Sequence, residues 1–212
     1  MYAPAPFLEE DAEEAAAFLA AYPFATLCVN GPDGPLAAHA PMVADKHADG
    51  SIASLLGHVA RANPFWETAA DGGAPALAVF RGPDAYVSPS AYPSKAEHGR
   101  VVPTWNYVAA EVRGRLSVET DPERMRPFLS MPTDHMEAAR RSPWAMNDAP
   151  GDYLAALMRG VVGLRLEVSR IVLKRKLSQN RNAADRSGVI ADLADRMDPA
   201  AQAVASLMRG GR

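Results

Sequence analysis

The sequence predicts an α+β chain built on a barrel of about six antiparallel strands, with flanking helices and a helical C-terminal tail. Three observations carry this expectation. Short β-rich runs are separated by the tight turn signals GPDG (31–34) and RGPD (81–84), and short strands with tight turns favour a barrel over βαβ units. The strict strand–helix alternation of a dinucleotide-binding fold is absent. Apolar residues make up 48% and charged residues 22% of 212 positions, enough for a sizeable core and unlike a disordered chain.

The elements follow in order. Asp11, with Glu14 three residues on, reads as a capping box opening a helix through Ala15–Ala21, which Pro23 ends. FATLCVN (24–30) and LAAHAPMV (36–43) read as a hairpin, Asp45 to Gly50 as a polar turn, and SIASLLGHV (51–59) as a third strand, although its Leu-rich middle also fits a helix. NPFWETAA (63–70) reads as a short helix, with Asn63 as cap and Pro64 at its first position. ALAVF (76–80) and AYVS (85–88) read as two strands joined by a turn at RGPD. YVAAEVRGRLSV (107–118) reads as a long strand. Asp121-Pro122-Glu123 opens helical pieces that run to Met158, and strand returns over 160–178. The tail reads as two helices broken at Asp198-Pro199. Residues 1–180 are thus expected to form the barrel domain, with a helical insertion near 121–158, and residues 181–212 the tail.

Composition excludes several classes of function. A net charge of −3 and an isoelectric point near 6.0 argue against binding a polyanion by bulk charge. A single cysteine, Cys28, excludes an internal disulfide framework and a cysteine-based zinc site, and reads as a buried small hydrophobe. The five histidines show no ligand spacing, so no metal site is expected. No apolar run approaches the ~20 residues of a membrane span. The acidic start MYAPAPFLEEDAEE does not read as a secretory signal, so residence in the cytoplasm is expected. G-x-G-x-x-G, the Walker loop, H-E-x-x-H and G-x-S-x-G do not occur.

Three stretches carry candidate chemistry. In GHVARANP (57–64), His58, Arg61 and a helix start capped by Asn63 fall together, a combination suited to phosphate. An ordinary capped helix with a solvent-facing Arg fits the same residues equally well. The stretch from Ala85 to Tyr107 concentrates three Tyr, one Trp, three Pro and three Ser. Ser88, Ser90 and Tyr92 offer hydroxyls there, and Thr104, Trp105 and Asn106 follow close behind. Flat aromatic surface, hydroxyls and a stiff backbone suit a planar polar ligand, although the serines could bond their own backbone and Trp105 could be core. From Arg170 to Arg181 there are five basic residues and no acid. Lys176, Gln179 and Asn180 there could form an anion or ligand rim, a solvated basic edge, or a DNA contact. No residue stands out as a catalytic acid, base or nucleophile.

MYAPAPF, GHVARANP, AYVSPSAYPSK with VVPTWNY, and KLSQNR, in this order, resemble the PaiB-like family, labelled FMN-binding negative transcriptional regulators. The resemblance runs from Met1 to about Val189. It implies a split β-barrel of the pyridoxamine-phosphate-oxidase type and a homodimer with FMN at the subunit interface. It also implies that His58 to Asn63 lies near the phosphate and ribityl chain, that Ser88 to Tyr92 and Thr104 to Asn106 line the flavin pocket, and that Lys176 to Asn180 sits nearby. One position departs from the pattern: the family loop reads V-S-P-S-W-Y, and here Ala91 stands in place of the Trp. The function implied is a flavin-dependent regulator or redox protein, with an FMN-dependent oxidoreductase among the options. The alternatives are a repressor acting directly on promoter DNA and, more remotely, a haem-binding or haem-degrading split barrel. The last tail helix, PAAQAVASLMRG, carries a single Arg, whereas a recognition helix needs several side chains that reach base edges.

Overall fold

The computed structural model describes residues 1–210; Gly211 and Arg212, the end of the expected tail, lie outside them. Eight strands form one antiparallel sheet. They are β1 (Leu8–Glu9), β2 (Phe24–Gly31), β3 (Gly34–Pro41), β4 (Val43–Lys46), β5 (Ile52–Ala60), β6 (Ala74–Val87), β7 (Thr104–Glu119) and β8 (Val161–Lys176). Their order is β3-β2-β6-β7-β8-β5-β4, and β1 pairs with β8. The helices are α1 (Ala12–Ala21), α2 (Ser94–His98), α3 (Arg126–Glu137), α4 (Gly151–Arg159), α5 (Ala183–Asp195) and α6 (Pro199–Arg209). The expected class, strands in antiparallel pairs with flanking helices, is the one observed.

The count of about six strands becomes eight because β1 and β4 are short. β4 takes in Asp45 and Lys46, which read as turn. Asp45 is carried on a strand because its carboxylate meets Arg165 at 3.3 Å, and because it accepts a hydrogen bond from Ser54 Oγ at 3.4 Å. The turn expected at RGPD is likewise absent, and β6 runs unbroken through it. β2 pairs with β6 only as far as Phe80, so the missing N–H of Pro83 removes no bond to β2. An ion pair between Arg81 and Asp84 spans the stretch at 2.8 Å.

By its internal packing the chain divides into two compact units. The first comprises Met1–Asp11, Arg81–Ala110 and residues 172–210; the second comprises Ala12–Phe80 and Glu111–Ile171. In the second unit, Ala25, Leu27 and Val29 are buried on alternate positions of β2, as the period of two requires for a strand with one face inward. β7 passes so close to β8 that a Cβ on Gly114 would lie 1.8 Å from the Glu167 carbonyl oxygen, so only glycine fits there. Met125 and Phe128 pack on Leu56, with Met131, Met158 and Val161 around them, and this cluster anchors the helical insertion.

In the first unit the tail breaks where the sequence predicts. Asn182 caps α5, and Asp198 caps α6 ahead of Pro199. Ala201, Val204, Ala205 and Met208 are fully buried, the one-sided stripe of an amphipathic helix. The apolar face of α6 is thus occupied by packing.

Candidate functional site

Nine of the twelve candidate residues lie in the first unit, and His58, Arg61 and Asn63 lie in the second. The stretch from Ala85 to Tyr107 is not one loop. It comprises the end of β6, a 3-10 turn at Pro89–Ala91, α2 and the start of β7. Thr104, Trp105 and Asn106 are therefore strand residues, and alternation decides their fates. Trp105 is 53% exposed, whereas Asn106 is buried. Trp105 meets Tyr86 of β6 edge-on, with ring centroids 6.0 Å apart, and Tyr86 is also exposed. An aromatic surface thus stands open on this unit.

Lys176, at the end of β8, donates to Thr104 Oγ1 at 2.6 Å and to the Trp105 carbonyl at 2.5 Å. Burial, together with the nearby charges of Lys174 and Arg181, holds its ammonium pKa below the ordinary lysine value. Lys174 is itself buried; it donates to the Tyr2 carbonyl at 3.0 Å and lies 5.3 Å from the centroid of the Tyr107 ring. The solvated-edge reading of this basic run does not describe Lys174. Lys174 and Arg181 thus set two further cations near the half-buried Lys176 ammonium, an arrangement whose electrostatics an anion improves.

The Ser88–Tyr92 segment is held by local bonds. Ser88 Oγ accepts from the Ser90 N–H at 3.2 Å, and Ser90 Oγ accepts from Lys95 Nζ at 3.0 Å. Tyr92 is 2% exposed, with the Arg181 guanidinium 4.8 Å from its ring centroid. Burial pushes the Tyr92 phenol pKa up, and the charge of Arg181 opposes the shift. Ala91 is buried, so the position where the family pattern has Trp offers no open stacking surface here.

Several candidate side chains support other groups. Asn106 donates to Ser178 Oγ at 2.9 Å, and Ser178 holds a left-handed backbone at φ 61°. Gln179 accepts from the Leu177 N–H at 2.7 Å and donates to the Arg175 carbonyl at 2.5 Å, closing the turn after β8. Asn180 is exposed.

In the second unit, Arg61 donates from Nε to the Arg159 carbonyl at 2.8 Å. Its Nη2 donates to the carbonyls of Thr120 and Val161, at 2.9 and 3.2 Å. It thereby ties both ends of the helical insertion to the end of β5, a role the sequence did not reveal because its partners are main-chain atoms about 60 and 100 residues away. Asn63 Oδ1 accepts from the Phe65 N–H at 3.0 Å. The element it caps is a six-residue 3-10 helix, Pro64–Ala69, too short to develop the dipole of an α-helix. His58 lies on β5, and its Nδ1 is buried without a hydrogen-bond partner. Burial lowers the pKa of its ring, and a bond to the Phe128 main chain works against the shift. Cys28, expected to be buried, is partly exposed.

Among the described residues, no group of three or more His, Cys, Asp or Glu could hold a metal ion. Among the described residues, no helix is long and apolar enough to cross a membrane.

Residues 1–170 match the family model described as "Putative FMN-binding domain". Over 98% of its length, and 96% of the relative's, the chain is 32% identical to the "Protease synthase and sporulation protein PAI 2" of Bacillus subtilis. Among solved structures, the FAD and heme binding protein from Mycobacterium smegmatis superposes with a TM-score of 0.59 at 20% identity, covering 85% of this chain and 78% of that one. The flavocytochrome Anf3 from Azotobacter vinelandii gives a TM-score of 0.54 at 13% identity, covering 80% and 69%. At these identities the two structures speak for the fold.

Proposed function

The chain belongs to the FMN-binding domain family, and on that premise we propose that it holds FMN chiefly through its first unit and serves as a flavin-dependent regulator or redox protein. The observation that carries this reading is the cluster of Lys174, Lys176 and Arg181, in which burial first, and the charges of Lys174 and Arg181 after it, hold the pKa of Lys176 down. The donor set fits the cofactor. FMN joins a phosphate dianion to a hydroxylated chain and a flat ring system. The cationic cluster suits the phosphate, the hydroxyls of Ser88, Ser90 and Thr104 suit the chain, and the exposed face of Trp105 suits the ring. Bound FMN supplies the redox chemistry, and the protein supplies binding, orientation and electrostatics.

The remaining candidates divide into supports and expected contacts. Tyr92, Asn106 and Gln179 act as supports, since each is buried or bonded internally. His58, Arg61 and Asn63, for which the family resemblance implies a contribution, lie in the second unit, where Arg61 is committed to three carbonyls. A homodimer is also part of the reading. The exposed Tyr86–Trp105 pair, with the exposed Val102, gives the kind of aromatic surface that subunit interfaces cover.

Direct repression at promoter DNA is the second reading. The basic residues of 170–181 support it, but the apolar face of α6 is buried and its one basic residue is Arg209. Regulation through the flavin or a small metabolite fits these residues better.

The test is to incubate purified protein with FMN, remove unbound flavin by gel filtration and record the visible spectrum. A flavin band eluting with the protein is expected. Its absence from both native and incubated protein would overturn the reading. In a parallel arm, salt-dependent retention of a specific promoter fragment, with none of random DNA, would favour the second reading.

A further inference from the structure

The family model ends at residue 170, yet the loop expected to line the flavin is held by the tail beyond it. Asp185 of α5 is 3% exposed. Its carboxylate accepts from the Ser94 main-chain N–H at 3.1 Å and from Ser94 Oγ at 2.8 Å. Asn182 completes the arrangement. Its Oδ1 accepts from the Asp185 N–H at 2.8 Å, and its Nδ2 donates to the Asp185 carboxylate at 3.3 Å. Burial alone would raise the pKa of this carboxyl. The two Ser94 bonds and the charges of Arg181 and His98 outweigh that effect and hold it below the usual carboxylate value.

One turn further along α5, Gly188 lies against the main chain of the same loop. A Cβ there would stand 2.2 Å from the Ala91 carbonyl oxygen and 3.0 Å from Pro93 Cδ. Contact this close is open only to glycine. The Arg181 guanidinium, just before the helix, covers the Tyr92 ring. Three consecutive parts of the tail thus grip Ala91, Tyr92 and Ser94, immediately beyond Ser88 and Ser90.

We propose that Asp185 and Gly188 are positioning residues. By fixing the backbone from Ala91 to Ser94 they set the geometry in which Ser88 and Ser90 meet the flavin, so cofactor affinity depends on the tail helix α5 as well as on the residues that face the flavin. The proposal rests on the first-unit FMN reading above. Ligand binding is sensitive to such preorganisation because a loose loop must be ordered before it can bind.

Three variants test it. Asp185→Asn keeps the size of the side chain but replaces an acceptor with a donor. Gly188→Ala keeps every hydrogen bond and adds one methyl. Met197→Ala, at a position 99% exposed in the tail, is the control. Hydrogen–deuterium exchange of the FMN-free proteins reads the loop directly, and FMN titration reads its consequence.

We expect exchange across residues 88–94 to speed up about tenfold or more in both test variants. We also expect FMN affinity to fall about tenfold or more, the scale of losing one buried charged hydrogen bond. Exchange in β2 and β3 and the behaviour of the control should stay unchanged. Unchanged loop exchange, a loosened loop with wild-type FMN affinity, or loss of protection spread equally through β2 and β3 would each overturn the proposal. Failure of the wild-type protein to bind FMN would overturn the functional reading and the positioning role with it. The exchange data would then still show whether the tail grips the loop.

Discussion

Lys176 Nζ donates to Thr104 Oγ1 at 2.6 Å, joining the last residue of β8 to the first residue of β7. The bond orients a lysine that Lys174 and Arg181 repel, so the ammonium is held in place although its own neighbours disfavour its charge. In the unliganded protein that arrangement costs stability, and an anionic ligand turns it to advantage. Lys176→Met is therefore expected to lower FMN affinity about ten- to hundredfold while leaving the melting temperature of the free protein unchanged or raised. Titration and thermal denaturation of the same preparation check both halves.

The pH dependence follows from the same residue. The folded-state pKa of Lys176 lies below its unfolded value. Between the two values the unfolded chain binds more protons, and this group's contribution to stability rises with pH. A phosphate dianion favours the ammonium form, so binding raises the pKa. FMN affinity should be highest below the free protein's Lys176 pKa and fall as pH climbs through it. Titrations across the alkaline range check this, and the pH-dependent part should disappear in Lys176→Met.

Arg61 invites a different expectation. Its guanidinium satisfies the carbonyls of Thr120, Arg159 and Val161, so Arg61→Ala should cost about 2 kcal/mol of stability, read from urea denaturation. Arg61→Lys should restore little, because an ammonium cannot reproduce the fork that reaches several acceptors. Loss of FMN binding in Arg61→Ala counts as a direct contact only if the variant remains folded.

Trp105 separates the ligand role from packing. At 53% exposure it contributes little to the core. Compared at dilutions where both proteins are monomeric, Trp105→Ala should leave the melting temperature near that of the wild type and reduce FMN affinity about tenfold through lost ring contact. Sedimentation of both proteins tests the aromatic pair as a subunit contact, and the variant should shift toward monomer.

Much of this fold was legible because local chemistry and global packing agree. The hairpin at β2 and β3, the Asn63, Asp121 and Asp198 caps, and the break before α6 all came from turn residues and proline positions. What escaped depended on distant partners. β4 carries Asp45 on a strand because Arg165 is there to meet it. RGPD reads as a turn, yet β6 runs straight through it beyond its pairing with β2. The candidate residues came from residue type and from the family resemblance, neither of which tells a ligand contact from a brace. Arg61, Asn106 and Gln179 are braces in this structure because their partners are main-chain groups and a buried serine. Asp185 and Gly188 escaped notice altogether. One is a common helix-start acid and the other a lone helical glycine, and only the approach of Ser94 and Ala91 gives them meaning.

The most direct test compares calorimetric titrations of the wild-type protein with FMN and with riboflavin, which differ only in the phosphate. The Lys174–Lys176–Arg181 cluster requires FMN to bind about a hundredfold more tightly than riboflavin at low salt, with the difference largely lost in Lys176→Met. Equal affinity for the two flavins, or no binding of either, would contradict the account.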